Sequence, residues 1–412
     1  MTQYGVGTGF GENVSRKGRE GKALRFAKEG GRLEGMMMSD VRKTVAEGEE
    51  RLLARLRELV EVESPSEDKA AVDRAGVLVL GWVEALGGTV KRHKQKGYGD
   101  VLELRFGPAR SKRGRVLLLG HLDTVWPMGT LAKMPWREAE GKIYGPGVVD
   151  MKAGVVMALE AIAAVKELGA ERPVTLLLVS EEEIGSPVSR GITEKIAREC
   201  EAVFVMEPAQ GLAYKTARKG VGYFELRVQG VGAHSGVDFE SGHSAVLEMA
   251  KLVQVVSGFT DLSKGLTVNA GVIAGGTRSN VVASECVCEV DVRIARASDA
   301  AKVERMFRGL KVTDKACTLT VSGGINRPPM ERKPGIVKLF RQARGLAAEM
   351  GLVLEEAATG GGSDGNFTAG IGVPTLDGMG AVGGGAHASH EHVVKASLVE
   401  RTALLAGMIA GV

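Results

Sequence analysis

The chain has 412 residues, 44% of them hydrophobic and 25% charged, which is enough for two domains and a large core. A net charge of +4 with no basic stripe interleaved with aromatics argues against nucleic-acid binding. The four cysteines show neither C-x-x-C spacing nor a disulfide framework, no apolar run reaches membrane-spanning length, and the N-terminus lacks a secretory signal's apolar centre, so a cytoplasmic setting is expected.

Residues 1–38 are rich in Gly, Lys, Arg and Glu without a hydrophobic period. They read as a disordered tail or an over-extended start, with Met36, Met37 and Met38 as candidate initiators. From Val41 the spacing predicts one helix as far as Ser64-Pro65, and a second spans about 70–86. Strands are predicted at 101–106 and 116–120, the latter ending in Gly120-His121-Leu122-Asp123. After Gly145-Pro146-Gly147-Val148-Val149-Asp150 a helix runs over 151–168, followed by a strand at 174–180 that ends in Glu181-Glu182-Glu183. A helix at 189–199 leads to a strand at 202–206, which ends in Glu207-Pro208. Alternating strands and helices imply an α/β domain whose mixed, largely parallel sheet is flanked by helices.

The pattern changes near Arg218. Alternating strands at 222–229, 266–274, 285–295 and 317–322, with helices at 244–257 and 298–310, predict an inserted α+β segment. Cys286 and Cys288, two apart on a strand, are expected to share a buried face. Past Pro328-Pro329 the first pattern resumes with a helix at 335–350, the loop Gly360-Gly361-Gly362-Ser363-Asp364, and a last helix from Lys395. The expected organisation is therefore a tail (1–38), a catalytic domain in two parts (39–217 and 327–412) and an insertion between them (218–326).

In parallel sheets ligands collect at the carboxyl ends of the strands, which is where His121, Asp123, Glu182, Glu183 and Glu207 fall. Together with Asp150 and His387, these donors suit zinc, cobalt or manganese better than calcium, which prefers oxygen alone. If Asp150 bridges two ions, with His121 and Glu207 on one and Glu183 and His387 on the other, Glu182 remains free as a general base. His390 and His392 compete with His387 for its place. The remaining histidines His93 and His243 are assigned no role.

Five motifs, G-H-L-D-T-V, G-P-G-V-V-D-M-K-A-G, S-E-E-E-I-G-S, M-E-P and T-G-G-G-S-D with a later G-G-A-H, resemble those of the di-zinc aminoacylase/carboxypeptidase family. Within it the chain looks most like the bacterial glutamate carboxypeptidases that cleave folates. The resemblance implies metal ligation by His121, Asp150, Glu183, Glu207 and His387, with Glu182 as base, Asp123 orienting His121, and a cis peptide at Asp150-Met151. It makes the insertion a lid and dimerisation domain, in which His234 steadies the oxyanion, often across a homodimer interface. Asn280, Arg293, Gly361 and Gly362 would meet the substrate, Arg293 by holding its free carboxylate.

The expected protein is a zinc-dependent metallocarboxypeptidase that releases a C-terminal amino acid, glutamate first, from an N-acyl amino acid or short peptide. The sequence departs from the folate-cleaving pattern at Glu181, where Asp is more usual, and at the basic stretch Ala217-Arg218-Lys219. Alternatives are an N-acyl-amino-acid deacylase or dipeptidase of the same family, or a metal-bearing protein that binds without catalysing.

Overall fold

A computed structural model describes residues 37–109 and 111–411; the expectation for the tail falls on residues 1–36, outside that range. Met38 is not part of a tail. It opens helix α1 (Met38–Glu47), is 4% exposed, and packs where Gly407 has no side chain. The single helix expected from Val41 is broken at Gly48 into α1 and α2 (Glu49–Val60). Helix α3 (Lys69–Ala85) begins at Asp68, whose carboxylate accepts the Ala71 N–H at 3.0 Å.

Strands β1 (Thr89–His93), β2 (Val101–Phe106) and β3 (Arg115–His121) come next, then the short β4 (Arg137–Ala139) and β5 (Lys142–Tyr144). Helix α4 (Ala153–Glu167), β6 (Val174–Val179), α5 (Arg190–Ala197) and β7 (Cys200–Val205) complete the first half of the main domain. Strand β8 (Tyr214–Arg218) precedes the insertion: β9 (Gly220–Gln229), α6 (Ala245–Ser257), β10 (Thr267–Gly275), β11 (Glu285–Ile294), α7 (Ala300–Arg308) and β12 (Thr318–Arg327). The chain returns through α8 (Pro334–Glu349), β13 (Glu356–Thr359), α9 (Gly365–Gly370), β14 (Thr375–Leu376), β15 (Gly383–Gly384), β16 (His392–Val394) and α10 (Ser397–Gly411).

The central sheet has the order β1-β2-β6-β3-β7-β14. Strands β6, β3, β7 and β14 pair in parallel, whereas β2 and β1 join antiparallel at one edge. This is the mixed, largely parallel sheet expected. The apolar runs are buried throughout: every residue of β6 is buried, as is every residue of β3 after Arg115. Strand β1 escaped the sequence reading because Thr-Val-Lys-Arg-His carries the charge of a solvent-facing edge, where such residues block further pairing.

Residues 220–327 form a four-stranded antiparallel sheet of order β10-β11-β9-β12, packed on α6 and α7 around a second core. Burial alternates along β9 and β11, and Cys286 and Cys288 lie in that core at 1% and 0% exposure, on one face as expected. Strand β12 runs past its expected end because Gly323, at φ +88°, lies where an added Cβ would be 2.1 Å from the Tyr223 carbonyl. Arg218 belongs with the main domain: β8 pairs in parallel with β13. Among the described residues no helix is long and apolar enough to cross a membrane.

Phe307 stacks on Phe224 with ring centroids 3.8 Å apart, inside this second core. If the insertion folds around its own core, Phe307→Ala destabilises it by about 3–5 kcal/mol. Trp82, Trp126 and Trp136 all lie outside the insertion. Denaturant unfolding should therefore show an earlier circular-dichroism transition with the tryptophan fluorescence transition unmoved. A joint shift of both signals would mean one cooperative unit.

Candidate metal centre

Parallel pairing of β6, β3 and β7 brings three acidic strand ends to one edge of the sheet. His121 closes β3 and is 1% exposed. Its Nε2 lies 3.3 Å from Asp150 Oδ1 and 3.8 Å from Glu207 Oε1. On the other side of Asp150, His387 Nε2 lies 3.3 Å from Asp150 Oδ2 and 3.1 Å from Glu183 Oε2. Two clusters result, His121–Asp150–Glu207 and Asp150–Glu183–His387, each with donor atoms within 4.8 Å of one another and with Asp150 common to both. This is the partition expected from the sequence. The Asp150-Met151 peptide is cis, as the resemblance implied.

The competition among the C-terminal histidines is resolved by packing. His392 lies beside the Tyr144 ring, tilted by 40°, with its Nδ1 2.9 Å from the His390 carbonyl, and among the described residues neither His390 nor His392 joins a cluster. His387 reaches Asp150 and Glu183 from a backbone at φ +62°. His93 pairs with Glu103 at 2.8 Å and His243 with Asp314 at 2.7 Å, both away from the clusters.

The acids of Glu181-Glu182-Glu183 divide their work. Glu181 is fully buried and accepts from Ser189 N at 2.7 Å and Ser180 Oγ at 2.6 Å, so it holds the following loop. Glu183 faces His387, and Glu182 stands outside both clusters with its Oε1 3.0 Å from Arg327 Nη2. Asp123 meets the His121 ring through its backbone carbonyl, 2.9 Å from Nδ1, with its Oδ1 at 3.4 Å. Its carboxylate accepts instead from the N–H groups of Glu182 and Glu183, both at 3.1 Å, and from Ser66 Oγ at 2.6 Å. Asp123 thus positions the acid pair as well as the imidazole.

Burial and neighbouring charges shift the titration of several of these groups. Burial pushes Glu207 up to about 7, reinforced by the neighbouring Asp150. Glu182 is also raised well above the carboxylate range by burial, against the pull of Arg327. Hydrogen bonds to Asp150 and Glu183 lift His387 to about 10. Burial works against a charged His121, but Asp123 and Asp150 still raise it well above its ordinary value. A donor set of imidazole and carboxylate fits divalent cations.

Three of the residues expected to meet the substrate, His234, Asn280 and Arg293, lie elsewhere or are engaged. His234 and Asn280 are exposed neighbours, with Ser235 N donating to the Asn280 carbonyl at 3.0 Å, and neither is bonded to a cluster residue. Arg293 is paired with Asp291 at 2.8 Å and reaches the Gly360 carbonyl at 3.4 Å. At Gly362 an added Cβ would lie 2.7 Å from Val221, whereas Gly361 has room.

The sequence reading missed two buried arginines. Arg218 forks onto Asp377 (2.8 and 2.5 Å), approaches Glu207 at 3.6 Å, and donates to the carbonyls of Gly361 and Gly362 at 3.2 and 3.1 Å. Arg327 joins Glu182 to Asp364. A basic stretch signalled the first. Nothing local signalled the second, whose partners lie in two other segments.

The family model described as peptidase family M20/M25/M40 matches residues 117–411. Carboxypeptidase G2 of Pseudomonas sp. (strain RS-16) is 30% identical over 370 residues, covering 87% of this chain and 88% of that protein. A probable carboxypeptidase of Arthroderma benhamiae is 30% identical over 334 residues, covering 71% of this chain and 69% of that one. The crystal structure of aminopeptidase PepT from Bacillus cereus shares the fold with a TM-score of 0.74 at 22% identity, over 88% of this chain and 98% of that chain.

A metal ion needs neutral imidazoles, so below pH 10 it must displace the His387 proton. Metal affinity should therefore fall as pH drops from about 8 to about 6, by about tenfold per unit for each proton displaced. Calorimetric titration of the chelated protein in buffers of different ionisation enthalpy measures both quantities. A pH-independent affinity with no proton release would remove the imidazoles from the ligand set.

Proposed function

The chain belongs to peptidase family M20/M25/M40, and we propose that within this metal-dependent hydrolase family it is a carboxypeptidase that uses two zinc ions to release a C-terminal amino acid, glutamate by preference. The observation that carries the reading is the pair of three-donor clusters sharing Asp150, with the buried carboxylate of Glu182 left over beside them. His121, Asp150 and Glu207 would hold one ion, and Asp150, Glu183 and His387 the other. Cobalt or manganese would fit the same donors. When bound, such a pair lowers the pKa of a water and polarises the scissile carbonyl.

The chain's own groups do the rest. Glu182 takes a proton from the attacking water and delivers it to the departing nitrogen, so the acyl side gains the oxygen and the amino acid leaves with a free amine. Burial raises the Glu182 carboxyl above its ordinary value, against the pull of Arg327. Arg327 fixes one carboxylate oxygen, leaving the other for the water. Arg293, within reach of the Gly360 carbonyl, supports a clamp for the substrate's free α-carboxylate, which would replace Asp291 as its partner. Similarity to carboxypeptidase G2 supports a carboxypeptidase reading, and the motif resemblance to glutamate carboxypeptidases supports glutamate as the leaving residue.

The insertion is proposed to act as a lid that pairs two copies of the chain. Strand β10 is an edge strand, and Val272 and Ile273 on it are 54% and 55% exposed. Val246, Leu247 and Val255 of α6 add exposed apolar area, at 40%, 58% and 50%. An edge so placed favours strand addition by a second copy. Because His234 is exposed and off the clusters, its expected role at the oxyanion fits a contribution from the partner copy. Light scattering should give a dimer mass for the wild type and a monomer for Ile273→Lys; a wild-type monomer would remove the pairing.

The reaction is tested on N-acyl amino acids that vary the C-terminal residue (Glu, Asp, Ala, Met, Phe), with zinc and after chelation. The expected outcome is zinc-dependent release led by Glu, reduced about 100- to 10,000-fold in Glu182→Gln while metal content is unchanged. Release of apolar residues alone would move the protein to the deacylases, and no release from the metal-loaded protein would favour a non-catalytic role. Unchanged turnover in Glu182→Gln would sink the base assignment.

A further inference from the structure

Glu391 ties together parts of the site that the proposed ligands leave unconnected. Its side chain is buried (1% exposed), with both oxygens engaged. Oε1 accepts from the N–H groups of Val149 at 2.9 Å and Asp150 at 3.2 Å, and Oε2 from Gly147 N at 2.9 Å and the Trp126 indole at 2.8 Å. Gly147 is left-handed, at φ +71°, and the turn it makes converges backbone N–H groups on a single anion. Lys152, buried and donating to the Val62 carbonyl at 2.9 Å, supplies a nearby compensating charge.

Glu391 also sits four residues after His387. Two turns link them, closed by Ala388 N to the Gly385 carbonyl (2.8 Å) and Glu391 N to the Ala388 carbonyl (2.9 Å). The His387 side chain is half exposed and has no strand beneath it. By contrast, His121 ends β3 and Glu207 lies two residues past the end of β7, next to Met206, whose N–H donates to the Leu119 carbonyl at 2.9 Å. Apart from the shared Asp150, one cluster is therefore held by strand ends of the sheet. The other depends on two loops meeting, and the Glu391 carboxylate is what joins them.

We infer that Glu391 is a positioning residue that sets the separation of His387 from Asp150, and thereby controls retention of the ion shared by Asp150, Glu183 and His387. The inference rests on the two-ion reading above. Glu391→Gln keeps the side chain's size but turns an NH2 group towards N–H donors, so the loop junction must spread.

The test is stepwise titration of zinc into chelated full-length protein, followed by calorimetry, with His387→Ala and His121→Ala marking which binding step belongs to which cluster. In Glu391→Gln the step lost in His387→Ala should weaken about 10- to 100-fold, with the His121 step within about threefold of wild type. Trp126→Phe, which removes a single donor and leaves the backbone contacts, should weaken the same step to a smaller extent. Equal weakening of both steps, or no change in either variant, would overturn the inference. Two ions bound without amide cleavage by the wild type would count against the proposed reaction alone. Unaltered zinc steps in the variants of an active enzyme would count against the Glu391 brace alone.

Discussion

Repulsion among carboxylates crowded at the ends of β6, β3 and β7 is the constraint on which the rest of the centre depends. Asp150, Glu182 and Glu207 lie close enough that burial and mutual charge raise two of them, Glu207 to about 7. Such a cluster persists only beside compensating cations. Here Arg218 and Arg327 supply fixed ones at the flanks, and the imidazoles of His121 and His387 lie against the same carboxylates. Divalent ions held there would satisfy the same demand with more charge, which would link metal occupancy to the stability of the sheet edge.

A second theme is the carboxylate that serves backbone rather than substrate. Asp123 gathers the N–H groups of Glu182 and Glu183, Glu181 gathers that of Ser189, and Glu391 gathers those of Gly147, Val149 and Asp150. Each closes a loop whose N–H groups would otherwise be buried without partners. The site is therefore held in two layers: donors that converge on Asp150, and acids behind them that hold the donors' loops. The departure from the expected motif at Glu181 falls in the second layer, which explains how it leaves the donor set intact.

Much of this was legible in the sequence because strand burial is a local pattern. An apolar run closed by Gly-His-Leu-Asp places His121 and Asp123 at a strand end, and the same logic places Glu183 and Glu207. The alternation in β9 and β11 likewise exposes a half-buried sheet, down to the shared face of Cys286 and Cys288. Less legible were β1, disguised by edge charges, and the division of the first helix at Gly48. The end of β12 was less legible too, since the strand continues past Gly323, whose missing Cβ allows a close approach to Tyr223.

By itself the sequence determined which side chains stand at the strand ends and what class of ion such donors prefer, since both follow from residue type and short-range period. Only the tertiary structure decided that Arg327 meets Glu182, that Arg218 forks onto Asp377, and that Glu391 reaches across 241 residues to the Asp150 backbone. Charge pairs and carboxylate braces carry no periodicity along a chain. They are fixed by where loops come to rest once the sheet has formed.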